Sequence, residues 1–193
     1  MLRGKPATPD AAVLAFSDAA EFAAWLDEHV ELQAGVWLKI AKKGSGVVSL
    51  TDDEAVDVGL CYGWISGQRK PLDAVCYLQK YVPRRPRSRW SQVNVAKVKA
   101  LLDAGRMRPP GLAEVQAAQA DGRWAAAYES QRNATVPADL AAVLAASPPA
   151  AQAFKLLNKT KQYALILKLV TARTLTARAA QLRKAQDALE ALE

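Results

Sequence analysis

Residues 75–82 read VCYLQKYV, the run richest in β-forming side chains in the chain. Taken alternately, Val75, Tyr77, Gln79 and Tyr81 share one side, and Cys76, Leu78, Lys80 and Val82 share the other. Both sides are largely apolar, which is the pattern of an interior strand with aromatic rings on one side. Pro83 and Pro86 end it, because neither can donate to a ladder. Upstream, residues 36–41 (VWLKIA) alternate in the same way, with Val36, Leu38 and Ile40 on one face and Trp37, Lys39 and Ala41 on the other. Residues 13–16 and the pair Trp64-Ile65 read as two further short strands.

Between the strands lie helix signals. Asp18 and Glu21 approximate a capping box, and Phe22, Trp25 and Leu26 follow on one helical face that ends near His29. Thr51 and Glu54 form a cleaner box ahead of Ala55, Val58 and Gly59. From Ser91 onward the pattern is helical. One helix carries Val95, Val98, Leu101 and Leu102 and closes at Gly105, and a second runs from about Gly111 to Asp121. Trp124 and Tyr128 continue an apolar trace, and residues 129–136 read as a linker. Beyond it, helices start at Pro137 and at Ser147-Pro148. Others cover about 159–171 and 176–192, the last with Leu182, Ala185, Leu189 and Leu192 in a stripe. Arg178, Arg183 and Lys184 near its start and Glu190 and Glu193 at its end oppose the helix dipole, so packing must hold it. The expected fold is α+β: a small mixed sheet with flanking helices in the N-terminal half and an all-helical C-terminal half. Residues 1–128 form the α+β domain with the basic segment, and residues 137–193 form a helical region packing on it.

Composition narrows the function classes. The chain has 193 residues, 51% hydrophobic and 23% charged, which is enough for a buried core without staples. No apolar run approaches the roughly 20 residues that cross a bilayer. Cys61 and Cys76 sit in apolar stretches and read as core residues rather than as a disulfide or a nucleophile, and His29 reads as surface. With one His and no CxxC spacing, no zinc site is expected, and no cofactor is implied. The opening MLRGKPATPD is not followed by an apolar region long enough for a secretory signal, so a cytoplasmic protein is expected.

Charge is concentrated. From Arg69 to Arg108 there are eleven Lys or Arg against two acids, a net +9, while the rest of the chain sums to −2. The densest part is KYVPRRPRSRW, residues 80–90. One reading is a solvated loop that keeps the protein soluble. The other is an anion site. Arg84, Arg85, Arg87 and Arg89 immediately precede the helix opened by Ser91, whose N-terminus offers unpaired N–H groups, with Asn94 in its first turn and Lys80, Arg69 and Lys70 nearby in sequence. Tyr81 and Trp90 are stacking candidates, although a Trp in that position more often staples a helix to the core. The partners this pattern points to are nucleic acid or another anionic ligand.

Other motifs are weak. Lys42-Lys43-Gly44-Ser45-Gly46 lacks the Gly-Lys-Ser/Thr ending and the immediate helix of a phosphate loop, and reads as a turn. Asp52, Asp53 and Glu54 sit in a first helical turn, where acids suit the dipole, so they are not expected to hold a metal. An enzyme built on Asp57, Asp73, Gln68 and Arg69 stays open, with the basic element holding a phosphorylated or carboxylated substrate; no catalytic residue can be assigned. A structural interaction module is the third alternative.

The blocks GVWLKIAKKGSG, LCYGWISGQRK, YLQKYVPRRPRSRWSQVN and AGRMRPPGLAEVQAAQADGRW resemble the bacterial YdeI/OmpD-associated, or bacteriocin-protection, family. So does the tail, with VPADLAAVLAASPPAAQAF and KQYALILKLVTA. The most specific piece runs from Gly63 to Asn94. Two departures stand out: Ser66 occupies the place of a common acidic residue, and the last helix is Ala-rich. The resemblance implies a role in stress or in resisting antimicrobial peptides. It implies no reaction, cofactor or catalytic residue.

Overall fold

The computed structural model describes residues 11–172 and 174–191. The N-terminal stretch 1–10 read for a signal, and Leu192 and Glu193, which the sequence reading assigned to the last helix or its end, lie outside the described residues. The fold is α+β, with a four-stranded mixed sheet and eight helices among the described residues. The chain divides into two compact units, Met1–Ser88 with Asn94–Ala125 and Arg89–Val93 with Ala126–Glu193.

The first unit holds the sheet. Its strands are β1 (Val13–Leu14), β2 (Val36–Ala41), β3 (Trp64–Pro71) and β4 (Cys76–Pro83), in the order β1-β2-β4-β3. β1 runs parallel to β2, and the other pairings are antiparallel. β4 is therefore interior, as its apolar faces require. The register places Tyr81, Gln79 and Tyr77 opposite Val36, Leu38 and Ile40 on one face. That face is the core. Helix α1 (Ala19–His29) buries Phe22 and Leu26, and Phe22 meets the Tyr81 ring edge-on at 5.8 Å. Helix α2 (Asp52–Cys61) brings Gly59 against that ring, where a Cβ would lie 3.1 Å from a ring carbon.

The caps follow the sequence. Asp18 accepts from the N–H groups of Ala20 and Glu21, and Glu21 reaches back to the Ser17 N–H at 2.7 Å. Thr51 and Glu54 close a reciprocal capping box. Gly35 enters β2 at φ 64°, where a Cβ would lie 2.2 Å from the Tyr81 carbonyl oxygen, so only glycine fits.

Several expected boundaries move. β3 runs on from Ile65 to Pro71, because a bulge between Ser66 and Arg69 restores its pairing with β4. Val75 falls outside β4, in a turn where Asp73 Oδ1 accepts from the Val75 and Cys76 N–H groups. Helix α3 covers Gln92–Asp103, and α4 (Pro109–Ala120) begins two residues before Gly111, with prolines in its first turn.

The second unit contains α5 (Ala138–Ala146), α6 (Pro148–Leu156), α7 (Lys159–Val170) and α8 (Leu175–Glu190). Their shared core is Leu140, Ala150, Ala153, Phe154, Ile166, Leu169 and Leu189. Ser147, Asn158 and Thr174 cap α6, α7 and α8. Arg178 of α8 grips Asp139 with two nitrogens, at 2.7 and 3.0 Å, which holds the helix start despite its adverse charge order. The backbone of Tyr128 bridges to Ser91.

Candidate functional site

β4 ends at Pro83, and the next residue, Arg84, turns inward. It is 5% exposed, and its N–H donates to the Gly63 carbonyl at 2.9 Å. The chain then folds over residues 85–88. Ser88 N–H donates to the Arg85 carbonyl at 2.9 Å, and Arg85 N–H donates to Ser88 Oγ at 3.0 Å. From outside the turn, Arg123 clamps it: its nearly buried guanidinium is ion-paired to Asp121 at 2.6 Å and donates to the Ser88 carbonyl at 2.9 Å. Pro86 fixes one more dihedral.

Inside this clamp Arg87 sits at φ 73°, the one left-handed non-glycine among the described residues. An L side chain in that region costs on the order of 1–3 kcal/mol, and such strain persists only where the surroundings over-determine it. Arg85 and Arg87 are exposed, and neither has an ion-pair partner among the described residues. The turn therefore holds two guanidinium groups in water on a rigid base.

Within the first unit, Arg69, Lys70 and Lys80 do not join them in one focus. Arg89, Trp90 and Ser91 belong to the second unit. There the Arg89 guanidinium donates to Thr171 Oγ1, and Trp90 accepts from Tyr128 N–H through its carbonyl. Asn94 lies half-buried in the first turns of α3. The two stacking candidates are corrected. Tyr81 is 0% and Trp90 2% exposed, so neither ring has a face open to a base. Tyr81 faces the core because strand alternation puts it opposite Val36, and burial pushes its phenol well above the ordinary range. Its hydroxyl is buried without a hydrogen-bond partner among the described residues.

Arg69 is matched within the protein. It pairs with Asp52 at 2.8 Å, donates to Gln79 Oε1 at 2.8 Å, and lies over the Tyr77 ring at 4.4 Å. Gln79 is buried and donates onward to the Gly67 and Gln68 carbonyls at 2.9 and 3.1 Å, pinning the bulge of β3. The sheet alternation sends Lys70 and Lys80 to the opposite face. There both ammonium groups lie over the ring of Trp37, at 4.4 and 5.5 Å from its centroid. Lys80 also donates to the Ala34 carbonyl at 2.7 Å. Sequence reasoning assigned Trp37 and Lys39 no role, although their position opposite Val36, Leu38 and Ile40 was readable from alternation.

The weaker motifs resolve as structure. Lys42 Nζ donates to the Asp73 and Ala74 carbonyls, tying the Lys42–Gly46 turn to its neighbour. Asp57 takes Lys97 at 2.8 Å. Asp73 caps its own turn, and those backbone N–H groups hold its carboxyl below the usual range. Asp57, Asp73 and Arg69 are thus engaged separately. Cys61 and Cys76 are free and buried, and burial pushes the Cys61 thiol up. Among the described residues no group of three or more His, Cys, Asp or Glu is placed to hold a metal ion, and no helix is long and apolar enough to cross a membrane.

Two family models match the chain. One, described as a domain of unknown function (DUF8412), covers residues 14–114, just over half of the length and most of the first unit. The other, described as bacteriocin-protection, YdeI or OmpD-associated, covers residues 133–191, which include α5 to α8. No curated protein and no solved structure matches. The chain thus belongs to the DUF8412 family through its sheet-bearing part and carries a YdeI or OmpD-associated, bacteriocin-protection region in its helical part.

Proposed function

We propose that the protein is a cytoplasmic stress or protection protein that binds a phosphate-bearing polyanion through the exposed turn of Arg85 and Arg87. The observation that carries this reading is Arg87 itself. A glycine would adopt φ 73° without strain, yet the position holds an arginine, in a turn clamped by Ser88 and Arg123. Strain retained beneath an exposed guanidinium is intelligible if that group has a target, because a pre-organised planar fork loses little freedom on meeting phosphate. The net +9 of residues 69–108 adds long-range attraction for the same kind of partner. Two free buried cysteines suit a reducing compartment.

Most bacteriocins are cationic, and a positive segment repels them. Protection by this protein would therefore act indirectly, through an anionic target in the cell. The test measures binding of inorganic polyphosphate and of labelled oligonucleotides at about 50 mM salt. For wild type the expected result is salt-sensitive binding, and for Arg85→Ala/Arg87→Ala a loss of roughly tenfold or more. Absence of binding to every polyanion, or full affinity in the double variant, overturns the reading. In cells, bacteriocin sensitivity unaltered by the double variant breaks the link to protection.

A further inference from the structure

The outward face of the sheet is built unlike its inward one. Among all four strands there is no Asp or Glu, whereas Lys39, Lys70 and Lys80 lie on this face. Lys39, Leu78 and Lys70 form one cross-strand row, and Trp37 with Lys80 forms the next. Lys39 and Lys70 thus stand two strand spacings apart, about 10 Å, at the two ends of the row next to the one that holds the indole. Among the described residues the part of this face around Trp37 is open: Val13, paired with Trp37, is 53% exposed, Lys39 and Lys70 are exposed, and Trp37 and Leu78 are only half-buried, whereas Cys76 at the far end of the same face is buried. Glu21 of α1 shares a groove of about 370 Å³ with Lys39, but Ser17 holds its carboxylate by N–H and hydroxyl at 2.7 and 2.9 Å.

We infer that this face is a platform for single-stranded nucleic acid, with a base on Trp37 and the backbone phosphates on Lys39, Lys70 and Lys80. The ammonium groups now over the indole occupy the place a base would take. Attraction to the ring quadrupole, and for Lys80 also the Ala34 carbonyl at 2.7 Å, keeps them there, and arriving phosphates offer each a charged partner a short reach away. A duplex hides its bases, so a flat face with one aromatic ring and no groove-reading helix favours unpaired strands. Strand β4 carries Lys80 and Val82 on this face and leads directly into the Arg85–Arg87 turn, so one strand of nucleic acid can follow both. The inference rests on the polyanion reading and names the polyanion.

The experiment uses the full chain, labelled 12-nucleotide oligo-dT and oligo-rU, a 12-base-pair duplex, and inorganic polyphosphate, read by anisotropy or calorimetry at about 50 and 200 mM salt. Single strands should bind at least tenfold more tightly than the duplex. Trp37→Ala should weaken them roughly five- to one-hundred-fold with an unaltered salt slope, and Trp37→Phe should fall between. Lys39→Ala/Lys70→Ala, at two exposed positions, should lower the slope by about 1.4. Polyphosphate, which has no bases, should be insensitive to Trp37→Ala. Equal or tighter duplex binding, or a folded Trp37→Ala that binds single strands as wild type does, overturns the platform. Binding of polyphosphate without oligonucleotides also overturns it and leaves the arginine reading standing, whereas full affinity in Arg85→Ala/Arg87→Ala counts against the arginine reading alone.

Discussion

Replacing Arg87 by glycine and, separately, by alanine isolates the strain from the charge. Both variants lose the guanidinium. Only glycine also removes the clash between Cβ and the following carbonyl, which costs about 1–2 kcal/mol for an L residue in the left-handed region. Glycine gives back roughly 0.5–1 kcal/mol through its greater freedom in the unfolded chain. Alanine keeps the clash, and because Arg87 is exposed it forfeits little packing. Arg87→Ala should therefore stay within about 0.5 kcal/mol of wild type. Arg87→Gly should exceed Arg87→Ala by about 0.5–1 kcal/mol, or roughly 1–4 °C in melting temperature for a chain of this size. Urea denaturation followed at the tryptophans measures the difference as a shift in midpoint at constant slope. Polyphosphate binding should weaken equally in both. A glycine variant no more stable than the alanine variant would show that position 87 holds no strain, and the argument for a purposeful arginine there would fail.

Three further outcomes are expected. At Gly111 a Cβ would stand 2.2 Å from the Cys61 carbonyl oxygen and 2.8 Å from that of Leu60. Gly111→Ala should therefore cost about 2–3 kcal/mol in chemical denaturation despite the helix-propensity gain of up to about 1 kcal/mol; a stabilised variant would refute this packing of α4 on α2. Asp139 is held below its ordinary value of 3.8, chiefly by the hydrogen bond from Arg178, so its contribution is complete above that value and is lost as pH falls through the lowered one. Asp139→Asn should lower stability at neutral pH by up to about 1 kcal/mol, given a pair about one-third exposed, and flatten the acid limb of helical circular dichroism; an unchanged acid limb contradicts the pairing. With Cys61 4% and Cys76 2% exposed, a thiol reagent at about pH 8 should modify neither over minutes and both in denaturant; rapid labelling of the folded chain would show that the core is open.

Much of the fold was legible where local chemistry decides it. Val36–Ala41 and Cys76–Pro83 carry alternation and β-branched or aromatic residues, and Asp18, Thr51 and Ser147 announce their helices by capping. The far half of β3 was not legible. Its residues SGQRKP have little intrinsic strand preference, and they extend because Gln79, a residue of the neighbouring strand, satisfies the Gly67 and Gln68 carbonyls at the bulge.

The candidate site was legible only as charge density. Adjacency in sequence suggested one cluster, but alternation sends Lys80 to the face opposite Tyr81, Arg84 turns inward, and Asp52, far upstream, takes Arg69. The residues that organise the exposed turn, Ser88 and Arg123, show no such purpose in the linear chain, since 35 positions separate them. Trp37 meets Lys70 and Lys80 only through the sheet register.

Whether exposed cations of the first unit hold a polyanion can be read by titrating isotope-labelled protein with oligo-dT while following arginine Nε–H and tryptophan indole N–H resonances. Arg85, Arg87 and the Trp37 indole should shift progressively and saturate together, while the buried Trp64 indole, which donates to the Val30 carbonyl at 2.9 Å, should stay in place. Shifts confined to Arg106 and Arg108, or none at all at low salt, would contradict such binding.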